Sequence, residues 1–203
     1  VIAANGPVII GSLASVLLVA YLAYALHALI VYSFTIKTLG GLSPVEFFKK
    51  MSSAMIFAFS SASSMGTLPI NMKCCEDLGA DHDVTAFVLP LGATINMDGT
   101  AIYQGVCAVF IAACYGIDLT IGQMITIVIT STLASIGTAG VPGSGMIMLA
   151  MVLQSVGLPV EGIALVAGVD RIFDMGRTVL NITGDASAAI INSNRLRKKG
   201  KIA

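Results

Sequence analysis

Long apolar runs dominate the chain, and the residues that interrupt them set the predicted elements. Residues 8–36 carry no charge and end at Lys37. That exceeds the roughly 20 residues a membrane-spanning helix needs. His27 lies inside the run and reads as a packed or interfacial histidine, with a proton relay as the alternative. In "GGLSPVEFFKK", Gly40, Gly41 and Pro44 end the helix, and Ser43 with Glu46 predicts a capping box for the next one. The run 45–59 is too short to cross a bilayer comfortably and stops at "SSASSMGTLP". A second short arm, to about residue 72, leads back to the charged "KCCEDLGADHD". Two half-length arms meeting at a small polar tip predict a re-entrant hairpin. One continuous helix whose serines bond their own carbonyls is the alternative. Pro69 and the charges that follow disfavour it.

The second half repeats the theme. Residues 84–115 form another long apolar run, interrupted near its middle by "GATINMDGT", where Gly92 and Gly99 bracket Asn96 and Asp98. Unwound backbone at membrane depth is tolerated only where it faces protein or a cavity. After the loop "YGID", residues 120–135 form a short arm broken by "GTAGVPGSG", and residues 146–156 form its return. Glycines and a proline so close together cannot continue a helix. A last span covers residues 163–191 and ends in "NRLRKKGK", which is basic and free of acids. The positive-inside rule puts that tail, and the loop with Lys49 and Lys50, in the cytoplasm. A hairpin followed by a span thus occurs twice, in opposite orientations. Paired, Gly/Pro-interrupted short segments point to inverted repeats around a midplane site.

Composition narrows the class. Only 11% of the 203 residues are charged and 56% are hydrophobic, whereas soluble domains carry about a quarter charged residues. The chain reads as an all-α polytopic membrane protein. Eleven basic residues balance eleven acidic ones, which argues against nucleic-acid binding. Cys74, Cys75, Cys107 and Cys114 form no CxxC pair. Apolar packing is therefore expected of them, rather than zinc or iron–sulfur chemistry. The chain opens at Val1 without a charged region and small-residue cleavage site, so it reads as the C-terminal part of a longer protein rather than as a signal peptide.

The charges that remain are concentrated in "DRIFDMGRTVLNITGD", residues 170–185. At 100° per residue, Asp170, Asp174, Arg177, Asn181 and Asp185 fall within an arc of roughly 80°. Arg171 lies off that arc. Each charge at mid-membrane costs about 2.5–3.5 kcal/mol on insertion scales, more than the apolar residues of the same span return. This helix must face protein or a wet cavity. A closed Asp–Arg ion-pair network is one solution, but it leaves the broken segments unexplained. Asp98 and Asp185 are the expected sodium ligands, because a hard cation takes carboxylate and carbonyl oxygens.

Four motifs carry a resemblance: "SSASSMGTLP", "LPLGATINMDGTAIYQGV", "SIGTAGVPGSG" and "DMGRTVLNITGD". Over essentially its whole length the chain resembles the glutamate transporter family, the dicarboxylate/amino acid:cation symporters. The resemblance implies an inverted-repeat, elevator-type transport core. Residues 1–38 would be the sixth membrane helix, 44–80 hairpin 1, 84–116 the broken seventh helix, 119–157 hairpin 2 and 160–194 the eighth helix. Residues 195–203 would be the cytoplasmic tail. The family's N-terminal half, with its trimerisation scaffold and third helix, would be missing. Arg177, assisted by Thr100, would hold the substrate's side-chain carboxylate, and Asp174 its ammonium group. Thr178, Asn181, Ser63 and Ser64 would hold the α-carboxylate and amine, and Val141 and Gly145 would close over the site. One sodium would sit among Gly92, Asn96, Asn181 and Asp185. A second would use Thr94, Ser135, Ile136 and Thr138, with Met97 nearby, and a third Asn96 and Asp98. No other cofactor is implied. The chain departs from the family at Met65 and in lacking an arginine of hairpin 1, while Arg171 has no settled role.

The expected protein is therefore a multi-pass, homotrimeric symporter of the inner or plasma membrane that takes up aspartate or glutamate with sodium. A C4-dicarboxylate or proton-coupled carrier is the alternative. Asp174 argues against a dicarboxylate, which offers no ammonium. An embedded enzyme would need a base beside Ser63 or Ser64, and neither has one near in sequence. A channel has no need of an ammonium-plus-carboxylate pair.

Overall fold

All regular structure in the computed structural model, which describes residues 7–202, is helical. The first predicted span becomes α1 (Pro7–His27), which runs on through a π turn (Ala28–Tyr32), a short α segment (Ser33–Thr35) and a second π turn (Ile36–Gly40). Residues 1–6 of that span lie outside the described residues. Gly41, at φ 73°, ends it in the left-handed conformation that glycine adopts without steric cost.

Two helix pairs follow. The first, α2 (Pro44–Ser61) and α3 (Ser64–Asp77), is separated by two residues, of which Ala62 takes φ 53°. Lys50 Nζ reaches the Asp77 carbonyl and Ser53 Oγ meets Cys74 Sγ, so residue pairs of equal sum face each other and the helices run antiparallel. Both arms extend beyond their predicted ends at residues 59 and 72. The second pair is α6 (Ile121–Ile136) and α7 (Ser144–Ser155), joined by residues 137–143. Thr120 and Gln123 close a reciprocal capping box at its start. The box predicted at Ser43 does not form: Ser43 is the N-cap, but its hydroxyl makes no cap bond and Glu46 stays exposed.

Between the pairs lie α4 (His82–Ile95) and α5 (Asp98–Cys114), broken at Asn96 and Met97, where the interruption was predicted. The last span is not one helix. A 3-10 turn (Val160–Gly162) and a five-residue helix α8 (Ile163–Ala167) stop at Gly168 and Val169 before α9 (Asp170–Lys198) begins. The charged stretch therefore opens a helix rather than interrupting one. Asp170 sits in its first turn, where the helix dipole favours an anion, and Arg195, Arg197 and Lys198 sit in its last, where it favours cations. The predicted tail from residue 195 is accordingly helical to Lys198.

α9 is the axis of the fold, packed by α1, α2, α3, α4 and α5. It is also where polarity is buried: Asp174, Arg177, Asn181 and Asp185 are all inside. Large apolar residues face outward instead, among them Leu18, Leu29 and Phe34 of the first helix, Phe87 of α4 and Val128 and Leu133 of α6. Water-soluble folds rarely expose so much contiguous apolar surface. Two helices, Gly11–Gly40 and His82–Cys114, are long and apolar enough to cross a membrane. Two apolar clusters flank α9. One gathers α1, α5, α6 and α7 around Phe173 and Leu180; the other gathers α2 and α3 around Ile182, Ala186 and Ile190. Gly176 permits the first of these contacts, because a Cβ there would lie 2.9 Å from the Tyr21 ring.

Candidate functional site

Three breaks in helices converge on the middle of α9. The tip between α6 and α7 meets the tip between α2 and α3 directly: Ser63 Oγ and the Met65 N–H both donate to the Gly140 carbonyl, at 3.1 and 3.2 Å. The break between α4 and α5 lies against α9, where the Gly99 N–H donates to Asn181 Oδ1 at 2.8 Å. Gly99 is there by necessity, since a Cβ would lie 2.4 Å from the Arg177 carbonyl oxygen.

Arg177 is the centre of this convergence and only 2% exposed. Its Nε donates to Asp174 Oδ1 at 2.8 Å, and its Nη1 lies 3.5 Å from Asp170 Oδ1. Its Cζ stands 4.5 Å from the centre of the Tyr103 ring, within cation–π range. Neither Nη1 nor Nη2 has a hydrogen-bond partner among the described residues. A buried guanidinium with unmet donors is costly unless an acceptor arrives. Asp174 accepts on its other oxygen from the Gly143 N–H, at 2.8 Å, which ties the α6–α7 loop to α9.

The predicted substrate residues are brought together, with one exception. Arg177, Asp174, Thr178, Asn181, Thr100, Ser64 and Val141 line one cavity, and Gly145 packs so closely that a Cβ would lie 2.6 Å from Arg177 Nη1. Ser63 does not line it. Its hydroxyl caps α3 by accepting from the Gly66 N–H and is held by Gly140. The cavity has a volume of about 10 Å³, close to what a single water needs. The two tips are drawn together over it.

The predicted sodium residues fall into three groups. Asp185, 1% exposed, accepts from Asn96 Nδ2 at 2.9 Å, and the same amide donates to the Asn181 carbonyl at 3.3 Å. Gly92 abuts this carboxylate, a Cβ there falling 2.5 Å from Asp185 Oδ1. Thr94, Ser135 and Thr138 donate their hydroxyls to carbonyls three or four residues before them, which leaves hydroxyl lone pairs as well as main-chain oxygens for an ion. Ile136 is the last residue of α6, and the ends of α4 and α6 pack together. Met97 lines the same small cavity as Arg177, its sulfur 3.1 Å from Asn181 Nδ2.

Asp98 meets the first helix. Its Oδ2 accepts from the Tyr32 hydroxyl at 2.7 Å and lies 3.5 Å from His27 Nε2. His27 is packed as expected, edge-on to the Tyr32 ring at 5.0 Å between centroids, and it also faces a carboxylate. Sequence reasoning missed Tyr32, Tyr103 and Gly143, which reach the site from other elements. Asp170 was visible on the polar arc of α9. Arg171 also finds its contact: Nη2 donates to the Ser60 and Ser61 carbonyls, at 3.0 and 3.2 Å, capping the C-terminus of α2.

The sequence profile of the Sodium:dicarboxylate symporter family matches residues 1–195. The chain is 47% identical over 163 residues to "Excitatory amino acid transporter 3" of Mus musculus, covering 80% of this chain and 31% of that protein. It is 48% identical over 148 residues to the human "Excitatory amino acid transporter 2", covering 72% and 26%. To the "Proton/sodium-glutamate symport protein" of Bacillus subtilis it is 42% identical over 173 residues, covering 85% and 40%. The chain thus spans about a third of the length of the curated relatives it matches. It is a membrane protein and belongs to the sodium:dicarboxylate symporter family.

Proposed function

We propose that the whole protein is a secondary symporter that couples sodium entry to uptake of an acidic amino acid, aspartate or glutamate. The observation that carries this reading is Arg177, buried with both Nη groups unmet beside a carboxylate. A planar guanidinium offers two parallel donors that fit a carboxylate. The substrate's side-chain carboxylate takes Nη1 and Nη2, assisted by Thr100. Its ammonium goes to Asp174, and Thr178, Asn181 and Ser64 hold the remaining polar groups.

The α6–α7 loop is the gate. Substrate does not fit a cavity of about 10 Å³, so the loop moves outward to admit it. The ammonium replaces the Gly143 N–H at Asp174, and the loop with Val141 and Gly145 recloses over the ligand. Sodium neutralises Asp185, to which no basic side chain is paired among the described residues. Asn96, Gly92 and the Asn181 carbonyl supply further oxygens, and Asp98 with Asn96 forms a second ion site. Main-chain oxygens of Thr94, Ser135, Ile136 and Thr138, near Met97, offer a third. The helix pairs are re-entrant, the core moves as an elevator within a homotrimer, and the basic tail lies in the cytoplasm.

Uptake of labelled aspartate into liposomes by the full-length protein tests this. An inward sodium gradient should drive accumulation. Uptake indifferent to that gradient would sink the coupling. Excess succinate should compete poorly; equal competition would favour the dicarboxylate reading.

A further inference from the structure

The cytoplasmic end of the fold carries a groove that the transport reading does not use. It has a volume of about 380 Å³ and lies between the end of the first long helix and the last turns of α9. Leu39, 55% exposed, and Ile191 form an apolar floor. Arg195, Lys198 and Lys199 form the rim, all exposed, and no acidic residue lines the groove. Asn194 holds the walls together by donating from Nδ2 to the Leu39 carbonyl at 2.7 Å.

The three rim cations form none of the ion pairs among the described residues. Arg197 differs: it points the other way and donates to the Gly79 carbonyl at 3.0 Å. Basic residues at a helix C-terminus answer the helix dipole and keep a tail inside the cell. Neither effect calls for an apolar trough beneath them. An apolar floor under a cationic rim, at the inner surface of a membrane protein, is complementary to one kind of molecule.

We propose that this groove binds an anionic phospholipid of the inner leaflet. The headgroup phosphate sits among Arg195, Lys198 and Lys199. The first part of an acyl chain lies along Leu39 and Ile191, with the aliphatic stems of the basic side chains over it. Each basic residue near an anionic surface contributes about fivefold in affinity, so three together contribute on the order of a hundredfold. The proposal requires that the chain lies in a membrane with its basic end on the inner side, and is independent of what the protein transports.

Native mass spectrometry of the full-length protein tests it, with phosphatidylglycerol or phosphatidylcholine added in mild detergent. The wild type should retain phosphatidylglycerol in preference to phosphatidylcholine. The combined variant Arg195→Gln, Lys198→Gln, Lys199→Gln should lose that retention by on the order of a hundredfold. Lys49→Gln with Lys50→Gln removes two basic charges outside the groove and should leave retention intact. Leu39→Gln should weaken retention while keeping every charge. Millimolar inorganic phosphate should not displace the lipid. Equal loss in the Lys49/Lys50 control, equal retention of both lipids, or an unchanged triple variant would overturn the site. Displacement by inorganic phosphate would make it a simple anion site and overturn the lipid assignment.

Discussion

At the scale of single residues, the site is built from polar groups that burial leaves in need of partners. Asp185 is 1% exposed and, among the described residues, accepts from one side-chain donor, the Asn96 amide. Replacing it with Asn should raise the sodium concentration needed for substrate binding by at least tenfold, about 1.4 kcal/mol. Titrating sodium against bound aspartate checks this, and an unchanged sodium requirement would remove Asp185 from the ion site. Gly99 sets a different limit. A Cβ there would lie 2.4 Å from the Arg177 carbonyl, backbone against backbone, so neither side can yield by a rotamer change. Gly99→Ala should lower the thermal stability of the purified protein and weaken aspartate binding together, whereas Gly116→Ala should leave binding unaltered. No Cβ contact awaits at Gly116, although its φ of 66° still carries a strain cost. The polar arc of α9 was legible in sequence because helical periodicity alone places Asp170, Asp174, Arg177, Asn181 and Asp185 on one face. Tyr32 and Tyr103 were not, since a lone tyrosine in an apolar run has no signature until another helix brings an acid or an arginine to it.

At the scale of elements, the two helix pairs differ in how their tips are held. The α2–α3 tip is tied from below, by Arg171 on the last carbonyls of α2 and by the cap at Ser63. The α6–α7 tip is held by the Gly143 N–H on Asp174 and by two hydrogen bonds from the opposite tip into the Gly140 carbonyl, with no side-chain clamp like Arg171 among the described residues. Hydrogen exchange should therefore slow across residues 137–145 when aspartate and sodium are added, with little change at residues 60–66. Equal slowing at both tips would contradict a single gate. Arg171→Ala should abolish that asymmetry by freeing the α2 end. A Gly/Pro cluster made the second pair legible, and two short arms meeting at a serine-rich tip the first, although Pro69 lies inside α3 rather than at the break. The break at Gly168 and Val169 was not read from the sequence, because a lone glycine in an apolar run lowers helix propensity without marking a stop. The cap predicted at Ser43 failed because a sequence pattern permits a side-chain bond without requiring it.

At the scale of the molecule, polarity is inverted: charges line the axis and leucine, valine and phenylalanine cover the outside. That inversion was the most legible property of all, because it follows from composition and from the lengths of the apolar runs. Which side of the membrane each end occupies is a separate matter. Cys114 is exposed at the end of α5, and the basic residues lie at the opposite end of α9. A single-thiol variant retaining Cys114 should react with an impermeant maleimide in intact cells, while a thiol at Lys201 should react only after permeabilisation. The reverse pattern would invert the topology.

The most direct test returns to Arg177. Its two Nη groups, which have no hydrogen-bond partner among the described residues, are the groups proposed to select a second carboxylate. In liposomes under an inward sodium gradient, the full-length wild type should accumulate aspartate. The Arg177→Cys variant should lose aspartate uptake by at least a hundredfold, about 2.7 kcal/mol, while still transporting a neutral amino acid such as serine. Undiminished aspartate uptake by that variant would contradict the account at its centre.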